Sequence, residues 1–90
     1  MRVEFTAIGW EDYCYWSDTD PKLASRIREL IKDIKRDPFS GLGKPEPLRH
    51  ELAGFWSRRI DSEHRLVYSV SGPARERKLT IIMCRHHYDH

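Results

Sequence analysis

The sequence has no long apolar segment and only two cysteines. Without a run of about 18 apolar residues a membrane-spanning helix is excluded, and the N-terminus lacks the apolar stretch of a signal peptide. We therefore expect a cytoplasmic protein with no membrane contact. In that compartment Cys14 and Cys84 are expected to remain reduced thiols rather than to pair.

Repeats, low-complexity segments and interdomain linkers are also missing, so residues 1–90 are expected to form one domain with a small core. Three Trp, four Tyr and three Phe supply large buried areas from few residues. Cys84 and the histidines near it are not flanked by a CxxC pair, and we expect neither a zinc site nor a cofactor. No helix-turn-helix pattern is evident, which places a DNA-binding regulator last among the functions considered.

The charge is distributed unevenly along the chain. The net charge is +2, but residues 1–20 carry one basic and five acidic side chains, net −4, and residues 21–90 carry fifteen basic and nine acidic, net +6. A basic body suits a polyanionic partner, because Lys and Arg contacts to phosphate supply most of the sequence-independent affinity. The excess is too modest to predict tight unaided binding to naked nucleic acid.

The first half of the chain predicts one strand and two helices. Arg2 to Ala7 alternates apolar and polar residues as a half-buried strand does, and the aromatics of Gly9 to Ser17 fall near helical spacing. A second helix begins at Asp20, which can cap it, followed by Pro21 at the first helical position. Asp37-Pro38 ends that helix, because proline disfavours a helical conformation in the residue before it.

The second half predicts a rigid loop and three strands. Residues 38–47 contain three prolines and two glycines and are expected to form a loop. Alternation resumes at Phe55 to Ile60 and at Leu66 to Val70, joined by a turn, and the last strand is Leu79 to Cys84. The predicted order is β-α-α-β-β-β, an α+β fold.

The span 44–68 concentrates groups that can act on a phosphodiester. Glu46 lies between two prolines and is held on a stiff segment, and Arg58, Arg59, His64 and Arg65 follow. A three-residue turn would pair Arg59 with Arg65 on one face of a hairpin. Such a like-charge contact costs stability unless an anion lies nearby, and it therefore indicates a phosphate site.

Metal-free RNA cleavage needs a base for the ribose 2′-hydroxyl, cations for the pentacovalent phosphate and an acid for the leaving 5′-oxygen. Glu46, the Arg59–Arg65 pair and His87 supply those groups. The structural alternative treats Glu46 as a solvated loop carboxylate and the three arginines as strand residues facing water. In that alternative the aromatics Phe55, Trp56 and Tyr68 belong to the core, and His50 and His64 are surface or capping residues.

Four motifs, KPEPLRH (44–50), GFWSRRI (54–60), EHRLVY (63–68) and CRHHY (84–88), resemble the signature of the YoeB toxins within the RelE superfamily. The segments WEDYCYW (10–16) and IRELIKD (27–33) extend the similarity over nearly the whole chain. The resemblance implies two N-terminal helices packed on a twisted, mainly antiparallel sheet of four or five strands. It also implies the toxin of a type II toxin-antitoxin system, a ribosome-dependent messenger RNA endoribonuclease that a YefM-like antitoxin disables, and a homodimer.

The resemblance assigns roles to seven positions. Glu46 resembles the family's general base, His87 its general acid, Arg65 the cation for the transition state, and Tyr88 the aromatic that positions the RNA. Lys44, Arg49 and Arg59 would contact phosphate or ribosomal RNA.

The chain departs from the family pattern at three places. Arg49 stands where lysine is common, His86 stands where a tyrosine is common, and Asp89 and His90 follow the C-terminal aromatic. His86 is therefore a second candidate acid. The main competing function is a non-catalytic RNA or ribosome binder, in which the arginines hold phosphate and Glu46 is passive.

Overall fold

The structure is a computed structural model that describes residues 1–86. Within this range the chain forms β1 (Arg2–Phe5), α1 (Ala7–Thr19), α2 (Pro21–Arg36), β2 (Glu46–Pro47), β3 (Trp56–Arg59), β4 (Arg65–Ser71) and β5 (Lys78–Met83). Short 3₁₀ helices at His50–Leu52 and Ala74–Glu76 lie between strands. None of the described helices combines the length and the apolar character needed to cross a membrane.

Both helices begin at capping side chains. Thr6 accepts a hydrogen bond from the N–H of Gly9 at the start of α1, and Asp20 accepts one from Leu23 at the start of α2. Pro21 occupies the first turn of α2, where its missing N–H costs nothing, and the helix ends at Arg36 before Asp37. The predicted start and end of the second helix are confirmed.

The five strands of the described chain form one mixed sheet in the order β1-β5-β4-β3-β2. The pairs β2–β3, β3–β4 and β4–β5 are antiparallel, whereas β1 and β5 run parallel. The predicted α+β fold, with two N-terminal helices on a mainly antiparallel sheet, is confirmed. β1 and β2 are the two edge strands.

One face of the sheet packs against the helices, and we call it the helix face. Its core joins buried residues of α2 to alternate residues of the central strands; the fully buried members are Ile27, Leu30, Ile34, Leu66, Tyr68, Leu79 and Ile81. Because side chains alternate along a strand, the residues between these belong to the opposite face, which we call the outer face. It carries Ser57 and Arg59 of β3 and Arg65 of β4.

Arg58 lies on the helix face and is fully buried, which corrects the expectation that it faces water. Its register partner is Leu66, a core residue. All five N–H groups of the guanidinium donate hydrogen bonds, and the acceptors are the Tyr68 hydroxyl, the Asp33 carboxylate and the carbonyls of Leu42, Asp37 and Ser40. Arg58 therefore fastens the loop after α2 to the sheet and takes no part in an exposed cation cluster.

Candidate functional site

Glu46 lies in an edge strand, not in a loop. Together with Pro47 it forms β2, and its register partner is Ser57 of β3. Sequence reasoning missed this strand because it is two residues long and contains Pro47, with Pro45 just before it, and prolines normally argue against sheet pairing. Residues directly opposite one another share a face, so the exposed side chain of Glu46 belongs to the outer face.

Arg59 and Arg65 face each other across β3 and β4, as predicted from the three-residue turn. Arg59 is two residues beyond Ser57 on the same face, so its β-carbon lies about 7–8 Å from that of Glu46. Arg65 is one strand further, about 12 Å from Glu46 by the spacing of strands and residues in a sheet. The outer face thus brings a carboxylate and two guanidiniums to one end of the sheet.

The segment that leads into Glu46 passes close to the backbone of β3 at Gly43. The carbonyl of Gly43 accepts a hydrogen bond from the N–H of Arg59 at 2.6 Å. The backbone φ of Gly43 is +77°, a value that residues other than glycine rarely adopt. A Cβ at this position would lie 2.9 Å from the carbonyl oxygen of Arg59. Lys44 lies between this crossing at Arg59 and Glu46, on the arginine side of Glu46, whereas Arg49 follows Glu46 on the other side.

The guanidinium of Arg65 is oriented by the hairpin turn. Its Nη1 donates to the carbonyls of Asp61 and His64 at 3.0 and 3.1 Å. Burial favours the neutral form of Asp61, but hydrogen bonds from the N–H groups of His64 and Glu63 outweigh it and lower the pKa of Asp61. The ionised form of Asp61 is therefore favoured, and the remaining edge of the Arg65 guanidinium carries further N–H donors.

The end of the described chain reaches the same corner of the sheet. The N–H of Arg65 donates to the carbonyl of His86, and the N–H of His86 donates to Nδ1 of His64. His64 is buried, which corrects its expected place as a surface or capping residue. The sequence analysis did not predict that His64 contacts His86, although the position of His64 next to Arg65 indicated that it lies near the candidate site. His87 and Tyr88, the predicted acid and aromatic, lie outside the described residues.

Cys84 is a buried thiol rather than a reactive one. Both cysteines are free. Burial raises the pKa of Cys84 to about 12, and the nearby negative charge of Asp12 acts in the same direction. The thiolate required of a metal ligand or a nucleophile is thus disfavoured. Among residues 1–86, no group of three or more His, Cys, Asp or Glu side chains could hold a metal ion.

The positions of Glu46, Arg59 and Arg65 on the outer face indicate which chemistry this end of the sheet can perform. Two opposed guanidiniums attract an anion that relieves their repulsion, and phosphate suits them because the guanidinium fork matches its oxygens. A carboxylate on the same face offers a proton acceptor next to that anion. These are the requirements of acid-base chemistry on a phosphodiester.

The family model described as the YoeB-like toxin of bacterial type II toxin-antitoxin systems matches residues 5–88. The Toxin YoeB of Streptomyces coelicolor is 53% identical over 88 residues, which cover 98% of this chain and 100% of that one. A structure of the YoeB/ParE toxin from Agrobacterium tumefaciens aligns with a TM-score of 0.93 at 50% identity and covers 98% and 100% of the two chains.

The chain is also similar to YoeB from Staphylococcus aureus, which has been solved both as a dimer and in complex with YefM. Its dimer aligns with a TM-score of 0.87 and its heterotetrameric complex with YefM with one of 0.86, both at 40% identity and with 98% of each chain covered. The family match spans most of the chain, and these relatives exceed 30% identity over nearly their full length. The chain therefore belongs to the YoeB-like toxin family of bacterial type II toxin-antitoxin systems.

Proposed function

We propose that this toxin is a ribosome-dependent endoribonuclease that cuts messenger RNA in the decoding site and stops translation. The observation that supports it most is the shared position of Glu46, Arg59 and Arg65 on the outer face at one end of the sheet. No ion pair joins Glu46 to another residue in the described range, and its carboxylate is exposed to an incoming ligand.

In the proposed reaction Glu46 takes the proton from a ribose 2′-hydroxyl. The 2′-oxygen forms a bond to the adjacent phosphorus, and Arg65 with Arg59 stabilises the extra negative charge of the pentacovalent phosphate. The bond from phosphorus to the 5′-oxygen breaks as an acid donates a proton to that oxygen. The products are a 2′,3′-cyclic phosphate and a 5′-hydroxyl, so atoms and charge balance without an external reactant.

His87 is the proposed acid, and Tyr88 is proposed to position the RNA. Lys44, on the arginine side of Glu46, and Arg49, on its other side, are proposed to hold neighbouring phosphates of the message or of ribosomal RNA. The path of the chain supports this arrangement, because His86 is hydrogen-bonded to the backbone of Arg65 immediately before the proposed acid.

Mapping of messenger 5′ ends on programmed ribosomes tests the proposal. The wild-type protein is expected to cut within the occupied codon, and Glu46→Gln is expected to slow cleavage by about 100-fold to 10,000-fold, the range typical of a general base. Glu51→Gln is the matched control, since Glu51 is an exposed acid in the neighbouring 3₁₀ helix. An intact message with bound protein would instead support the non-catalytic binder, and cleavage by Glu46→Gln at the wild-type rate would reject the assigned base.

We also propose two protein partners, because the Staphylococcus aureus relative was solved as a dimer and in complex with YefM. One is an antitoxin similar to YefM, whose coexpression is expected to relieve the growth arrest caused by the toxin. The other is a second copy of the chain, which would dimerise through α1 or through the edge strand β1. The proposed activity requires ribosomes and hence the cytoplasm.

A further inference from the structure

His64 is an imidazole with every side in contact. It is 7% exposed and packs edge-on against Trp16 of α1, with ring centroids 4.7 Å apart. Nδ1 accepts the N–H of His86 at 2.7 Å, and Nε2 lies 3.3 Å from a carboxylate oxygen of Glu63. The ring thus connects a helix, the hairpin turn and the C-terminal segment.

The segment 84–86 is held along α1 up to this point. The carbonyl of Cys84 accepts a hydrogen bond from the indole of Trp16 at 2.8 Å, and its N–H donates to Asp12 at 3.0 Å. The guanidinium of Arg85 lies 3.7 Å from the centre of the Tyr15 ring. Side chains of α1 therefore hold the segment 84–86, which we call the tail, and His64 makes the last side-chain contact with it in the described range.

His86 adopts a conformation that its neighbours must hold in place. Its φ is +66°, in the left-handed region that residues other than glycine seldom adopt. In this conformation its N–H reaches His64 while its carbonyl accepts the N–H of Arg65 at 3.1 Å. The direction in which the chain leaves residue 86 thus depends on these two hydrogen bonds.

We propose that His64 is a positioning residue that fixes the C-terminal tail at the arginine pair through one tautomer of its neutral ring. A nitrogen that accepts a hydrogen bond carries no proton, so Nδ1 is the bare nitrogen and Nε2 bears the hydrogen that faces Glu63. An imidazolium has N–H groups at both positions. Protonation of the ring would set two donors against each other at His86 and release the tail.

Four ionisable side chains face His64. Glu63 and Asp61 in the turn are acidic, Arg65 and His86 are basic, and the contact from α1, Trp16, carries no charge. Because an imidazolium has no acceptor for the N–H of His86, the tail is expected to be held while the ring is neutral and to loosen when the ring gains a proton. This anchoring stands independently of the proposed function, whereas its effect on RNA cleavage rests on that function.

Amide hydrogen exchange in the full chain, measured by NMR, tests the anchor directly. His64→Phe keeps a ring against Trp16 but has no acceptor, and the exchange rate of the His86 amide is expected to rise about tenfold, the loss of one hydrogen bond. His64→Asn places an amide oxygen near the position of Nδ1 and is expected to retain most of the protection. The amides of Leu79 and Ile81 in the core report whether either variant has lost its fold.

Acidification provides a second readout that does not depend on a substitution. Protection of the His86 amide, corrected for intrinsic exchange, is expected to fall on acidification in the wild type, once the ring gains a proton, and to stay level in His64→Asn, which has no imidazole at this position. Wild-type protection of this amide in His64→Phe, or an equal fall with pH in His64→Asn, would overturn the proposal.

Cleavage assays on programmed ribosomes distinguish a failure of the His64 anchor from a failure of the proposed endoribonuclease activity. His64→Phe is expected to cut more slowly than His64→Asn, in step with the loosened tail. A variant with a loosened tail that cuts at the wild-type rate would refute the positioning role. If the wild type cuts no message at all, the proposed function fails, and the exchange data still decide whether His64 holds the tail.

Discussion

Among single residues, the neighbours Arg58 and Arg59 show how one step along a strand separates a buried structural side chain from an exposed one on the outer face. Arg58 faces the helices and uses all five donors within the fold, whereas Arg59 faces outward opposite Arg65. Both are arginines in the same four-residue strand, and only the alternation of side chains distinguishes them.

Substitution of each neighbour by glutamine is expected to have opposite effects on stability. Arg58→Gln leaves Asp33 and several carbonyls without their donor and should lower the free energy of unfolding by about 3–5 kcal/mol. Arg59→Gln removes a like-charge contact and should raise it by about 0.2–1 kcal/mol, while slowing cleavage. Urea unfolding measures both variants; a destabilised Arg59→Gln, or an Arg58→Gln as stable as the wild type, would contradict these roles.

The sequence predicted the position of some candidate site residues and missed the position of others. Proline spacing predicted a loop at Glu46, where the structure has an edge strand. The Arg59–Arg65 pair could be predicted, because turn length determines which residues face each other. Arg58 and His64 could not, since their partners Asp33 and His86 are 25 and 22 residues away and come close only through tertiary packing. Burial of a polar or charged side chain cannot be predicted from the sequence until the partner that satisfies it is known.

Of the elements, α2 and the loop after it form a unit that depends on ionised Asp33. The N–H of Leu42 donates to this carboxylate, and Arg58 does so as well; these contacts lower the pKa of Asp33 from 3.8 to about 2. A group whose pKa is lower in the folded state stabilises the fold above its unfolded pKa. The contribution of Asp33 is therefore complete above about pH 4 and is lost as the pH falls through about 2.

Acid unfolding is expected to reveal this contribution. The urea midpoint of the wild type should fall between about pH 5 and pH 2, and Asp33→Asn should begin less stable and lose less over the same range, because it has no proton to gain at this position. Parallel curves for the two proteins would show that Asp33 does not contribute in this way.

The elements also differ in how far local pattern determines them. α2 was predicted to the residue at its start because capping and proline placement both act locally. β2 was not, because a two-residue strand that contains a proline carries no strand pattern and pairs only where β3 is already in place. The parallel pairing of β1 with β5 joins the two ends of the chain, and alternation specifies no partner.

At the scale of the whole molecule, α1 leaves large apolar side chains uncovered beside an edge strand. Ile8 is 60% exposed and Trp10 53%, and Trp10 stacks on Tyr13 near β1. A patch of this kind next to an unpaired edge is a feature of association surfaces. It supports the proposed dimer through α1 or β1.

Sedimentation at micromolar concentrations tests that surface. Trp10→Glu is expected to raise the dimer dissociation constant by about thirtyfold, about 2 kcal/mol, as truncation of a central interface aromatic does. Phe39→Glu is the matched control, because Phe39 is a similarly exposed aromatic in the loop after α2. Equal weakening by both variants, or a wild type that is monomeric throughout, would remove this interface.

The central claim concerns attack by a ribose hydroxyl at a phosphate held on the outer face. Its most direct test is single-turnover cleavage of a ribosome-bound message that carries one 2′-deoxyribonucleotide on the 5′ side of the expected cut. The account predicts no cut at the deoxy position, whereas the all-ribose message is cut to a 2′,3′-cyclic phosphate and a 5′-hydroxyl. Cleavage at the deoxy position would contradict it, because no nucleophile for the proposed reaction is present there.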